Sequence, residues 1–271
     1  MPELPEVETT RRGLERALRG AGITALRVYD HRLRWPIEAH LSERLAGRQL
    51  VAVGRRAKYL LLQLEGGTLI LHLGMSGSLR VLHAGTPRLK HDQFDLAFDS
   101  GLDLRFNDPR RFGSLHYTAE DPASHRLLRA LAPEPFDAAF DADYLRRITH
   151  RRRAAIKQVL MNGRLVTGVG NIYASEALFR ARINPRRAAG RLSRRDCARV
   201  VRAVRAALAA AIRAGGTSLR NYVGTDGNPG RFRQKLYVYE REGKPCRVCR
   251  TPIRKIVQGQ RSSYFCPHCQ H

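Results

Sequence analysis

Four cysteines close the chain in two pairs: Cys246-Arg247-Val248-Cys249, sixteen residues, then Cys266-Pro267-His268-Cys269. Each C-x-x-C pair presents two thiolates from one tight turn, and two pairs at this separation match a tetrahedral four-cysteine zinc site. An iron–sulfur cluster also takes four thiolates, but the closer-spaced cysteine run typical of one is missing. Four thiolates fill a tetrahedral ion, so the zinc is structural and has no open position for catalysis. The segment holds too little apolar material to fold without a cross-link, and metal binding would supply its folding energy. Between the pairs stand Arg254, Lys255, Gln260 and Arg261, then Ser262, Ser263 and Tyr264. A rigid ribbon with cations at its tip suits a phosphate backbone.

Three further stretches carry chemistry-bearing residues. The chain opens MPELPEVE, with two prolines and three glutamates in eight residues. Helix entry explains this arrangement. Proline tolerates the first helical turn, where its missing N–H would go unpaired, and acids there complement the positive end of the helix dipole. Residues 163–185, GRLVTGVGNIYASEALFRARINP, place Gly168 and Gly170 between two helical segments, with Asn171 at a helix start. Backbone amides in such a turn make a phosphate seat. HLGMSG and NDPRRFG set Met75, Arg110 and Phe112 in Gly-rich turns. Exposed loop tips of this kind wedge into base stacks; the alternative is that they close the end of a core.

The elements that must hold these residues change character along the chain. After a first helix running to about Arg19, residues 23–30, 49–74, 78–82, 94–106 and 114–118 read as short alternating or β-branched strands. Turn signals such as Glu65-Gly66-Gly67 and Asp99-Ser100-Gly101 separate them. Strand after strand without helices between predicts an antiparallel sandwich or barrel. A Pro- and Asp-rich stretch, LAPEPFDAAFDADYL, reads as a linker. Beyond it, Val200, Val201, Val204, Leu208 and Ile212 recur at helical spacing behind a Ser193/Asp196 cap, and Gly215-Gly216 stops that helix. Cys197 lies in this helix and reads as core.

Charge points to the partner. Lys and Arg total 49 against 24 Asp and Glu in 271 residues, a formal net of +25. Residues 151–240 hold 20 of the cations and four acids, so 16 net charges sit in 90 residues. Such a field seeks a polyanion, with nucleic acid the default candidate. No apolar run approaches the ~20 residues that span a bilayer, and the acidic N-terminus lacks a secretory h-region. The odd cysteine count argues against a disulfide framework. A cytoplasmic, nucleoid-associated monomer with no membrane partner is expected.

Taken together, PELPEVE, HLGMSG, KHD, NDPRRFG, VGNIYASE and CRVC…QRSSYFCPHC resemble the formamidopyrimidine-DNA glycosylase family, in the family's order and from Pro2 to Cys269. The resemblance implies an α+β multidomain fold. Its expected parts are a leading helix with an antiparallel β-sandwich over 1–131, a linker over 132–148, a helical DNA-binding domain with a helix-two-turn-helix and a lesion-capping loop over 149–235, and a zinc finger over 236–271. It implies base-excision repair of duplex DNA containing an oxidised base or an abasic site, chiefly 8-oxoguanine opposite cytosine and formamidopyrimidines. Catalytic roles fall to Pro2 as nucleophile once Met1 is removed, Glu3 as acid/base, Lys58 as proton donor for β-elimination and Arg261 for δ-elimination. Glu6 is a supporting carboxylate. His72, Lys157, Asn171 and Tyr239 match phosphate-gripping positions, and His91, Arg110 and Arg152 match DNA contacts. Met75, Arg110 and Phe112 match the trio that fills the gap left by the extruded base. Residues 215–232 match the loop that closes over that base. One structural zinc on Cys246, Cys249, Cys266 and Cys269 completes the set. Two other readings stand beside this one: an endonuclease VIII-like enzyme for oxidised pyrimidines, and a zinc-ribbon nucleic-acid binder without catalysis.

Overall fold

In the computed structural model, residues 2–217, 225 and 232–271 are described. They form an α+β protein in two compact units: Met1–Arg129 with Ile212–Arg233, and Ala130–Ala211 with Gln234–His271. Among the described residues no helix is long and apolar enough to cross a membrane.

The first unit begins with α1 (Leu4–Leu18), entered through the N-terminal prolines as expected. Leu4, Val7, Leu14 and Leu18 fall on one face at helical spacing, and all are buried. Opposite charges fix its other side. Glu8 pairs with Arg11, Arg12 and Arg55, and the Glu15 carboxylate accepts the Val53 N–H. The strands are β1 (Ile23–Val28), β2 (Leu50–Arg56), β3 (Tyr59–Leu64), β4 (Gly67–His72), β5 (Ser78–His83), β6 (Asp92–Phe98), β7 (Leu102–Asn107) and β8 (Ser114–Thr118), with a short α2 (Leu41–Leu45) after β1. They make two antiparallel four-stranded sheets, ordered β1-β6-β7-β5 and β2-β3-β4-β8. Alternate residues such as Leu60, Leu62, Leu69, Leu71, Leu79, Phe94, Leu96, Leu104 and Phe106 share one core. The period-2 pattern therefore gives a sandwich.

The second unit is helical, with α3 (Ala142–Thr149), α4 (Ile156–Leu160), α5 (Asn171–Arg180) and α6 (Arg194–Arg213), followed by a hairpin, β9 (Arg254–Gln258) and β10 (Arg261–Phe265). The Pro- and Asp-rich stretch ends on α3, whose first turn is capped by the Asp141 carboxylate accepting the Tyr144 N–H at 2.7 Å. α6 starts with the expected cap. Ser193 Oγ accepts the Asp196 N–H at 3.1 Å and the Asp196 carboxylate accepts the Ser193 N–H at 3.0 Å. That reciprocal pair satisfies two donors the first turn would otherwise orphan. Cys197, Val200, Val204 and Leu208 are buried, while Ile212 is only half-buried near the helix end.

Candidate functional site

Each unit assembles one part of the predicted set. In the first unit Pro2, Glu3 and Glu6 are all buried at the start of α1. Glu6 spends both oxygens on backbone: Oε2 accepts the Glu3 N–H at 2.8 Å and Oε1 accepts the Thr217 N–H at 2.8 Å. A carboxylate two per cent exposed thus fixes the residue that follows Pro2 and the start of the segment that the sequence reads as a lid. The rest of that segment, residues 218–224 and 226–231, lies outside the described residues.

Lys58 stands in the tight turn between β2 and β3, where Arg56 pairs with Tyr59. Ala57 takes φ +56° there, and its carbonyl is held by Arg55 Nη1 at 2.9 Å. A left-handed alanine costs about 1 kcal/mol, so tertiary contacts hold this turn. His72 is brought alongside by register, since Tyr59 pairs with His72 and their rings lie 4.7 Å apart. Burial pulls the His72 imidazole down to about 4, and the charges of Lys58 and Arg34 add to that effect. The Gly74 N–H donates to its Nδ1 at 3.0 Å. The ring is therefore neutral near pH 7 with its proton on Nε2, leaving an N–H donor suited to a phosphate oxygen.

Met75, His91, Arg110 and Phe112 lie on three neighbouring loops of the same unit. Arg110 and His91 are exposed and Met75 is half-buried. Phe112 is 41% exposed, and the Arg110 guanidinium stacks 4.7 Å from its ring centre. A large apolar ring left in solvent beneath a cation is unlike a core-closing residue. This favours the wedge over the core-end alternative.

In the second unit Lys157, Asn171, Tyr239 and the Arg261 hairpin converge. Lys157 is one per cent exposed. Its ammonium donates to Asn171 Oδ1 at 2.6 Å, the Ser262 carbonyl at 2.9 Å and Ser263 Oγ at 2.7 Å. Asn171 Nδ2 in turn donates to Tyr239 Oη at 3.3 Å, and the Tyr239 and Tyr264 rings meet edge-on at 5.1 Å. Asn171 begins α5 behind Gly170, with Gly168 at φ +81°. That left-handed turn suits glycine. Arg261 is exposed directly after the Gly259-Gln260 tip, and both tip residues are left-handed. Arg152 is exposed in a groove with Arg151, Arg153, Arg186, Arg187 and Arg191. Residue types alone did not single out Glu176. It is fully buried on α5 and accepts the N–H groups of Tyr237, Val238 and Tyr239 at 2.9–3.1 Å, which fixes Tyr239. Nothing in the sequence but its place in an apolar helical run marks it.

The Sγ atoms of Cys246, Cys249, Cys266 and Cys269 lie within 4.8 Å of one another. Zn–S bonds of about 2.3 Å put tetrahedral sulfurs roughly 3.8 Å apart, so the four thiolates fit one structural zinc. Phe179, Val238 and Ile253 pack against them.

Comparison with known proteins agrees along the whole chain. Residues 1–115 match the family model described as formamidopyrimidine-DNA glycosylase N-terminal domain, 131–223 the formamidopyrimidine-DNA glycosylase H2TH domain, and 243–271 the zinc finger found in FPG and IleRS. The formamidopyrimidine-DNA glycosylase of Thioalkalivibrio sulfidiphilus is 56% identical and that of Methylococcus capsulatus 54% identical, each covering 100% of both chains. The MutM (Fpg) crystal structure from Thermus thermophilus aligns at TM-score 0.89 with 39% identity, over 99% of this chain and 98% of that one. Lactococcus lactis Fpg in complex with abasic-site DNA aligns at 0.92 with 32% identity, over 100% of both chains. The same protein with DNA containing an oxidised pyrimidine also aligns at 0.92, with 32% identity over 100% of both chains.

Proposed function

The chain belongs to the formamidopyrimidine-DNA glycosylase family, and from that membership we propose how its own residues carry out excision and strand cleavage. It is a base-excision-repair DNA glycosylase with a structural zinc finger, acting on duplex DNA that carries a damaged base or abasic site.

The observation that carries the catalytic reading is the buried start of α1, where Glu6 holds the Glu3 backbone behind Pro2. With Met1 removed, Pro2 ends the chain as a secondary amine. An α-amino group titrates near 7.7–8, so a useful fraction is unprotonated at neutral pH. The amine attacks C1′ of the damaged nucleoside, the base leaves with the glycosidic electron pair, and the nitrogen gives up its proton to the departing base. Glu3 donates the proton that opens the sugar ring at its oxygen, giving an iminium between Pro2 and C1′. The iminium acidifies the C2′ hydrogen, so loss of that proton expels the 3′ phosphate in β-elimination. Lys58 supplies the proton transfer for that step, and Arg261 assists δ-elimination at the other phosphate. His72, Asn171 and Tyr239 hold the phosphates about the extruded nucleotide, with Lys157 behind them. Met75, Arg110 and Phe112 fill the vacated stack, with Arg110 toward the orphaned cytosine. His91 and Arg152 contact the duplex. Residues 215–232 cover the base.

The preferred substrate is an oxidised purine, 8-oxoguanine opposite cytosine or a formamidopyrimidine, and the enzyme acts as a monomer in the cytoplasm on the nucleoid. Borohydride trapping on a duplex with one 8-oxoguanine opposite cytosine, followed by mass mapping, tests the reading. An adduct on Pro2 with Met1 absent supports it. Because the Lactococcus lactis relative has been crystallised with an oxidised pyrimidine, a pyrimidine duplex is run in parallel. Faster trapping there gives the chain endonuclease VIII-like selectivity. No adduct on either duplex leaves a DNA-binding protein without this chemistry.

A further inference from the structure

The loops that carry Met75, His91, Arg110 and Phe112 meet at one buried carboxylate. Asp108 has no exposed surface. Its Oδ1 accepts from Ser76 Oγ at 2.5 Å and from the Arg110 N–H at 3.3 Å, and its Oδ2 accepts from the Gly113 N–H at 2.8 Å. Its own N–H donates to the His91 carbonyl at 3.0 Å. Gln93 Nε2 closes the ring, donating to the His91 carbonyl and to the Asp108 carbonyl, both at 2.9 Å. Every donor to this carboxylate is a neutral N–H or O–H group, so the charge serves to gather them. A carboxylate binds several donors at once, and such bonds are shorter and stronger than neutral ones.

The same loops hold conformations that would relax without a clamp. His91 takes φ +72° and Arg111 φ +56°, both left-handed and neither glycine. Gly74 sits at φ +64°, where an added Cβ would strike the Phe112 carbonyl carbon and the Gly113 nitrogen. The Met75 turn is thus pressed against the Phe112 turn, and Ser76 and Gly113 are tied to opposite oxygens of one side chain. Left-handed non-glycine residues persist where surrounding structure over-determines them.

We propose that Asp108 is the positioning residue of the wedge: one carboxylate holds Met75, Arg110 and Phe112 in a single rigid group, so that they enter the stack together. The proposal rests on the wedge reading above and adds a residue that touches neither base nor sugar. Without the clamp the three side chains would order only on meeting DNA, and that ordering would weigh against extrusion.

The test uses the full-length protein with Asp108→Asn and Ser76→Ala, and with Phe112→Ala and Met75→Ala as comparators. Asn keeps the Oδ1 acceptor but turns an amide toward the Gly113 N–H, and Ser76→Ala leaves the carboxylate and its backbone donors in place. Single-turnover excision of 8-oxoguanine is measured opposite cytosine and opposite adenine, with borohydride trapping on a preformed abasic duplex. Both variants are expected to slow excision opposite cytosine about tenfold, the size of one lost hydrogen bond to a charged group, and to narrow the cytosine preference similarly. Trapping on the abasic site, where no base must be extruded, should stay within about twofold. Wild-type excision by Asp108→Asn and Ser76→Ala while Phe112→Ala is impaired overturns the proposal. So does a parallel fall in excision and trapping, which would make the carboxylate a prop for the whole sandwich. If Phe112→Ala and Met75→Ala are themselves unimpaired, the wedge reading fails and this proposal falls with it.

Discussion

The Nζ of Lys157 lies 2.6 Å from Oδ1 of Asn171, and the same buried ammonium holds the Ser262 carbonyl next to Arg261. The ammonium also donates to Ser263 Oγ, so Lys157 directs its protons onto two half-buried residues, Asn171 and Ser262, and one buried one. Lys157→Met would leave those acceptors short of a donor and lower stability by about 2–4 kcal/mol. Affinity for abasic-site DNA should fall with little change in the slope of log K against log salt, because a buried ammonium releases no counterions. Arg261→Ala should instead reduce that slope by about 1. Equal loss of slope in the two variants would make Lys157 a direct phosphate contact.

Much of this was legible in the sequence, for physical reasons that differ between elements. Leu4, Val7, Leu14 and Leu18 mark α1 by their spacing, and the alternation in TLILHLG or FDLAF marks strands, because both periods are local. The four cysteines are legible because thiolate spacing is nearly the whole requirement of the site. No local signal marks the turn that carries Lys58, because Ala57 takes a left-handed conformation without the glycine that would announce it. Asp108 and Glu176 read as ordinary polar residues. Their importance comes from donors in other elements, such as Ser76 for one and Tyr237 to Tyr239 for the other. Register and long-range packing decide such partners, and no local pattern encodes them.

Zinc should be necessary for the hairpin and dispensable for the sandwich. Cys266→Ser leaves three thiolates and a hydroxyl, while Phe179, Val238 and Ile253 offer only a small apolar patch beside the cysteines. Because structural zinc contributes folding energy directly, the segment 243–271 should lose protection from hydrogen exchange. Residues of β3, β4, β6 and β7 should keep theirs. Metal analysis of the wild-type protein should give one zinc per chain. A hairpin that stays protected in the variant would mean the segment folds by packing alone.

Acid should destabilise the fold through two histidines. Burial holds His72 and His116 down to about 4, against 6.5 ordinarily; Lys58 and Arg34 reinforce the first, Arg126 and His125 the second. The unfolded chain therefore binds these protons first as pH falls. Stability is at its full value above about 6.5 and declines through the window down to about 4. His116 Nε2 is buried without a hydrogen-bond partner, and its ring meets Trp35 edge-on at 5.4 Å. His116→Phe keeps the ring contact and removes the titration. Its melting temperature should gain on the wild type progressively as pH drops from 7 to 5. A gap independent of pH would show that His116 does not contribute to the acid transition.

The two N-terminal carboxylates should separate cleanly. Glu3 is assigned the proton transfer, whereas both oxygens of Glu6 are already committed, to the Glu3 N–H and the Thr217 N–H at 2.8 Å each. Glu3→Gln removes the titratable group, so excision should fall by about 10²–10⁴ while binding to an uncleavable abasic analogue persists. Glu6→Gln keeps one acceptor and sets an amide against the other N–H, costing about 1–3 kcal/mol locally. Its trapping rate should drop by roughly tenfold, because the backbone behind Pro2 loosens but the proton donor remains. The pH dependence of its remaining activity should match the wild type, since a group acting only through hydrogen bonds to backbone does not titrate in the reaction. If Glu6→Gln is as inactive as Glu3→Gln, or shifts the acidic limb of the profile, Glu6 exchanges protons with the substrate and its bonds to Glu3 and Thr217 must break during turnover.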